Sequence, residues 1–398
     1  MTKEERQVVV VDSLYRVPGT AHAVRVGDIV YTAGIVARDA DGKLASPGDV
    51  GGQARRVYDN LTTALRAAGA DWKDAVKVNY YVAPHAASAK DRKALRAIHG
   101  QYVPSGSAAG LGVSLPLAEQ DSLVQIEVIA RVGVEKRAIS NVPNAIAAPG
   151  WAHAVRVGDT LYAGAQFPIV QGDVASPGDS AISAKGGLGD QTLVVCRNFD
   201  AVLKAAGMTW DHVLQVHNFM TQRKLAIPEL QAARTQFLTL GKFLSTSVAC
   251  EPEHPDWPMK DWQIGFDMEA DAGPRTHVDA KGVWGNPKGP HALKVGNLLR
   301  MHGQVARKLE GKTLYEGDGA KQSELVFENL DGILKAAGTD WNHVLHIRNY
   351  CKRREDIPAL RKVRAKWMPA NGYATTDLVA DFFDPLLLIE VEIVATIP

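Results

Sequence analysis

Along the chain the apolar residues switch between two spacings, and the switching recurs. In "VRVGDIVYTAG", from Val24, apolar and polar positions alternate about a central Gly27-Asp28 pair, which predicts two strands joined by a tight turn. "GGQARRVYDNLTTALRAAG" follows, with Val57, Leu61, Ala64 and Leu65 at helical spacing. Gly69 stands where a left-handed residue ends a helix. Next come a β-branched and aromatic run, "AVKVNYYVA", a second amphipathic helix, "SAKDRKALRAIHGQYV", and a closing strand, "SLVQIEVIARV". The pattern predicts a ββαβαβ unit with two helices over one sheet, an α+β fold.

The unit is written three times. "AHAVRVGD" begins at Ala21 and again at Ala152, and "PHALKVGN" begins at Pro290. "ALRAAGADW", "VLKAAGMTW" and "ILKAAGTDW" end at Trp72, Trp210 and Trp341, and Gln53–Asn60, Gln191–Asn198 and Gln322–Asn329 give a third marker. The first histidine interval is shorter than the second, whereas the first tryptophan interval is longer. The second unit therefore carries an insertion between its markers, near Ile182. A period of this length is a domain rather than a solenoid repeat. The units are expected at 1–139, 140–277 and 278–398, joined by the Pro-, Gly- and Asn-rich "KRAISNVPNAIAAPG" and "DAGPRTHVDAKGVWGNPKG". Each sheet has a second face to cover, so the units are expected to cover one another about a pseudo-threefold axis.

The order "HAVRVGDIVYTAG", "Q…N…L.AAG", "VKVNYYV", "LVQIEVIARV" resembles the Rid (YjgF-type) reactive-intermediate deaminase family, three times over. The resemblance implies chorismate-mutase-like units that elsewhere form homotrimers, here fused into one chain. It implies hydrolysis of enamines or imines to a keto acid and ammonia, in a cleft between neighbouring units, without metal or organic cofactor. It also implies a carboxylate-gripping arginine in a "P-x-R-S" segment before the last strand and a water-positioning glutamate within that strand.

Composition narrows the partners. The chain has 398 residues and a net charge of +1, which leaves no electrostatic footprint for nucleic acid or an anionic membrane. The N-terminus lacks the apolar stretch of a signal peptide, and no run is long enough to span a bilayer. Cys196, Cys250 and Cys351 are an odd, widely spaced set, which suits a reduced cytoplasmic setting. The expected partner is a small molecule, and the expected state is a monomeric pseudo-trimer, with a homo-dimer as a further option.

The family arginine is missing from every unit. Gly106, Leu244 and either Asn371 or Ala374 stand in the matching segments, and none can grip a carboxylate bidentately. The glutamate position holds Gln125, Gly265 and Glu390. The acids two residues on, Glu127, Asp267 and Glu392, are expected as structural ion pairs. The third unit alone has Arg300 and His302 where the others have Tyr31 and Ala33, or Tyr162 and Gly164. It has His346 and Arg348 where they have Lys77 and Asn79, or Gln215 and His217.

These residues suggest one specialised cleft. Glu390 is expected to orient or activate water. Arg300, Arg348 and His346 are expected to hold an anionic or carbonyl group in place of the lost arginine. His217 or His302 is expected to move a proton. The competing reading of the same cations is a polar seam neutralised by Asp377 or Asp381. Cys250, Glu251, Glu253, His254 and Asp256 crowd a proline-rich stretch, better suited to a lid or inter-unit contact than to a metal or nucleophile, with Trp257 and Trp262 as shields. His22, His153 and His291 are expected to bond backbone rather than converge on a metal, and the three marker tryptophans to pack in cores. Two functions fit: a cofactor-independent C–N hydrolase or deaminase acting on an imine, enamine, amide or ring-opened amine, and a non-catalytic small-ligand binder.

Overall fold

The structure is a computed structural model, and it describes residues 6–143, 145, 147–169, 185–221, 227–285 apart from 251–261, and 289–398. The expected insertion near Ile182 and the crowded acids at 251–256 lie outside the described residues, as does Trp257.

Each unit contributes one sheet, and the three sheets share one strand order. In the first, Arg6–Val9 pairs with Ala23–Val26, then Ile29–Thr32, Val124–Arg131, Ala75–Val82 and Ala109–Ser114. All neighbours are antiparallel except the last pair, whose parallel register (Lys77↔Ala109) requires the crossover helix Ala89–Tyr102. The first helix, Val50–Ala67, buries Val57, Leu61, Ala64 and Leu65 against the sheet. Gly69, with φ of +71°, then supplies the left-handed turn that releases the chain. The marker tryptophans donate their indole N–H groups to Thr62, Asp200 and Asp331.

Two strands per unit escape the hydrophobic pattern. Ala109–Ser114 is glycine-rich, and the polar Arg6–Val9, Arg137–Ile139 and Arg275–Val278 are edge strands. The last two fall in the segments expected as joins. Arg137–Ile139 pairs with Ala154–Val157 and Arg275–Val278 with Ala292–Val295, so each belongs to the sheet of the unit that follows.

The units meet in a closed cycle. The edge strand of the third reaches the first at Ala374↔Ala21, and that of the first reaches the second at Ala109↔Ala152. The second reaches the third where Gly303 N–H donates to Thr246 Oγ1 at 3.1 Å. Apolar side chains of all three, including Tyr81, Leu111, Phe219, Trp262, Tyr350 and Leu378, form one shared core. The cycle covers the second face of every sheet, which is why largely apolar strands such as Ala75–Val82 are buried along their whole length.

Candidate functional site

The paired strands place equivalent side chains in equivalent positions. Across from Asn79, His217 and Arg348 stand Glu127, Asp267 and Glu392. One step toward the strand end, Tyr81, Phe219 and Tyr350 face Gln125, Gly265 and Glu390.

The three inner acids form an alternating charge chain through all three units. Lys77 Nζ lies 2.7 Å from Asp267, which lies 2.6 Å from His217 Nδ1, and His217 Nε2 lies 3.2 Å from Glu392. Arg348 then bridges Glu392 to Glu127. Burial raises the Glu127 pKa, but Arg348 and His346 override it and hold the carboxyl well below its ordinary range. Burial disfavours charged His217, yet Glu392 and Asp267 raise its pKa to about 9. His217 is thus a fixed cation near neutral pH. Arg300 donates to Glu269 of the second unit at 2.9 Å, and both are buried.

The cations expected to form a pocket come together with anions of their own. Arg300, Arg348 and His346 do come to the axis beside His217, but carboxylates already occupy them. Their neutralising partners are Glu127, Glu269 and Glu392; Asp377 and Asp381 serve other cations, Arg364 and Lys352. Burial lowers the His302 pKa to about 4, and its Nδ1 bonds Gly303 O at 2.9 Å. The strand that carries Arg300 ends at Met301, one residue before His302.

The opening histidines bond backbone. His22 Nδ1 accepts from Val11 N–H at 3.1 Å and His291 Nδ1 from Ala280 N–H at 3.1 Å, while His153 Nε2 lies 3.2 Å from Ala145 O. Among the described residues no group of His, Cys, Asp and Glu has the arrangement of a metal site. The segment expected to carry the arginine is also re-phased. Lys77, Gln215 and His346 pair with Ala109, Leu244 and Ala374, so Gly106 corresponds to Gly241 and Asn371, all at positive φ, rather than to Leu244.

The three seams differ in what fills them. Between the first and third units a cavity is lined by Tyr15, Gly34, Glu119, Gln125, Arg361, Thr375 and Asp377. Arg361 there is held by Asp377 at 2.8 Å and Glu119 at 3.1 Å. Between the second and first units Trp151 covers Gly110 and stacks on His99 at 3.8 Å, while Phe167 occupies the space over Gly265. Between the third and second units Glu390 packs against Gly303, where any Cβ would collide with its carboxyl. Glu390 is 7% exposed, and among the described residues no hydrogen bond or ion pair reaches it. Burial, aided by the charge of Glu392, raises its pKa to about 8. It can therefore hold or release a proton near neutral pH.

Known proteins share this architecture. The profile of the endoribonuclease L-PSP family matches residues 18–132 and 289–397, the first and third units. A RutC family protein of Pyrococcus horikoshii is 31% identical over 111 residues, covering 27% of this chain and 88% of the relative. The 3-aminoacrylate deaminase RutC of Acinetobacter baylyi is 27% identical over 110 residues, covering 28% of this chain and 84% of the relative. Among solved structures a chorismatase matches in fold, with a TM-score of 0.56 and 14% identity, covering 81% of this chain and 93% of that one. The profile match spans more than half the chain and the relatives match nearly whole, so the chain belongs to the endoribonuclease L-PSP family, the family of the Rid and RutC proteins, built here from tandem units.

Proposed function

We propose that this protein hydrolyses a C–N bond of a small enamine or imine in the seam between its third and second units, with Glu390 as the catalytic residue. The observation that carries the reading is the Glu390 carboxyl, buried without a hydrogen-bond partner among the described residues and titrating at about 8. Kinship with a 3-aminoacrylate deaminase supports the reaction class.

In this reading the protonated carboxyl gives its proton to the enamine or imine, and water adds to the electrophilic carbon as Glu390 takes a proton from it. The same carboxyl then protonates the amino group of the carbinolamine. Ammonia leaves as the carbonyl forms and Glu390 takes back the hydroxyl proton, so the carboxyl is restored, one water is consumed and one ammonia is released. The single chain supplies all three units and needs no partner subunit to build the cleft. Cys196, Cys250 and Cys351 are buried, which is compatible with a reducing cytoplasm.

The test is ammonia release from an enzymatically generated enamine acid. Glu390→Gln keeps the shape and removes the titrating proton, and is expected to lower kcat about 100-fold or more. Turnover unchanged in this variant would remove Glu390 from the mechanism. An inactive wild type that is still stabilised by a small ligand would favour the binding-only reading.

A further inference from the structure

One edge-strand position carries Leu111, Thr246 and Thr376, which the parallel registers set opposite Asn79, His217 and Arg348. Each threonine hands its hydroxyl proton to the inner acid of the unit across the seam. Thr246 Oγ1 donates to Glu392 Oε2 at 2.7 Å, and Thr376 Oγ1 donates to Glu127 Oε2. Leu111 has no hydroxyl, and in its seam Lys77 takes the inner acid Asp267 at 2.7 Å instead.

Thr246 makes a further bond: it accepts the Gly303 N–H at 3.1 Å. A hydroxyl has one proton, and here Glu392 holds it, so the oxygen offers Gly303 only lone pairs. That orientation is fixed because Glu392 is ionised. Burial raises the Glu392 pKa, but His217 and Arg348 override burial and bring it down to about 2. His217 Nε2 at 3.2 Å and Gln215 Nε2 at 3.3 Å share the same carboxylate oxygen with Thr246. Thr246 itself is 1% exposed.

Gly303 lies against the Glu390 carboxyl. A backbone N–H left free at that point stabilises the ionised form of a carboxyl. The other seams differ at these positions. Gly34, the counterpart of Gly303 in the first unit, donates to the Thr375 carbonyl at 3.0 Å and faces Gln125, which cannot ionise. The closed seam has Ala165 and Leu111 in place of Gly303 and Thr246. Of the two glycines, the one against a titrating acid is the one whose N–H a side chain takes up.

We propose that Thr246 of the second unit is a positioning residue for Glu390: its hydroxyl, aimed by ionised Glu392, holds the Gly303 N–H away from the Glu390 carboxyl and leaves that carboxyl free to carry a proton. The proposal rests on the reading of Glu390 as the catalytic residue, and it makes reaction at one unit depend on a buried side chain of another. The other groups that act on Glu390 are Glu392, Arg307 and His217, with Tyr350 opposite it in register, and all four stay in place when Thr246 is changed.

The readout is the midpoint of the Glu390 titration, followed by its carboxyl 13C shift, with Glu390→Gln assigning the signal. Thr246→Val keeps the shape of the side chain and removes both hydrogen bonds. It is expected to lower the midpoint from about 8 by about one pH unit. The falling limb of kcat against pH is expected to move down with it, while KM changes little because Thr246 is buried behind Gly303. Thr246→Ala is expected to give the same shift, and covers the case of a valine variant that does not fold. Thr246→Ser restores the hydroxyl and is expected to restore the midpoint. Thr376→Val loses the matching bond in another seam and is expected to leave both midpoint and turnover at the wild-type level. A wild-type midpoint in Thr246→Val or Thr246→Ala, or an equal fall in Thr376→Val, would overturn the proposal. A lowered midpoint in Thr246→Val together with full turnover in Glu390→Gln would keep the role of Thr246 and discard the catalytic role of Glu390.

Discussion

The seam between the second and first units and the seam between the third and second start from the same strand positions and end in opposite states. In the former, Gly110, Gly164 and Gly265 remove side chains, and Trp151 and Phe167 fill the room. His99 beneath Trp151 is uncharged, since burial pulls its pKa down to about 3. In the latter, one glycine, Gly303, makes space for a carboxyl with a raised pKa, and Thr246 of the neighbouring unit accepts from the Gly303 N–H. Three identical subunits must keep three identical clefts. A fused chain is free to spend one on packing and another on chemistry, and the difference lies in side-chain volume at a few strand positions.

Several variants break or sharpen that contrast. The largest effect is expected from Trp151→Ala, which empties the closed seam and costs about 3 kcal/mol, the low end for a tryptophan because the ring is half-buried. Urea denaturation checks the cost, and turnover should stay at the wild-type level because Glu390 lies in another seam. A parallel loss of turnover would show that the closed seam takes part in the chemistry. Gly265→Ala should cost about 1–3 kcal/mol, because the new Cβ would stand 2.6 Å from Phe167 and force it to move.

The pH dependence of stability separates the open seam from the axis. The folded pKa of Glu390, about 8, lies above its ordinary 4.5, so stability falls as pH rises between those values and then levels. For His217, raised from 6.5 to about 9, the stabilisation is complete below 6.5 and is lost as pH rises through 9. Glu390→Gln should therefore gain stability relative to wild type from about pH 4.5 to about pH 8, with a constant gain above, as read from denaturant midpoints across pH. A pH-independent difference would contradict the raised carboxyl pKa. The smallest effect belongs to Gly112→Ala, where a Cβ meets no atom within 4 Å and stability should change by less than about 0.5 kcal/mol.

Much of the scaffold is legible in the letters. Helices with four periodic apolar residues, a hairpin turn at Gly27, and a repeated phrase with fixed phase markers all report local or repeated constraints. The phasing places Gln125, Gly265 and Glu390 at one strand position, and the register agrees. The polar edge strand Arg137–Ile139 was hidden because it has only three residues and buries only Ile139, so pairing rather than an apolar pattern makes it a strand. Trp151 had a readable signal: it precedes the repeated phrase where the other units have Thr20 and Gly289, beside a unit rich in glycine at matching strand positions.

The sequence by itself determined the three-unit α+β scaffold and singled out Glu390 as the acid at its strand position. Those features follow from spacing along one chain. Only the tertiary structure decided which charges are free. Lys77, His217, Arg300 and Arg348 are matched by carboxylates from other units, whereas no ion pair reaches Glu390 among the described residues. Charge balance in a buried site is set by groups within a few ångströms in space, and residues far apart in the chain supply them.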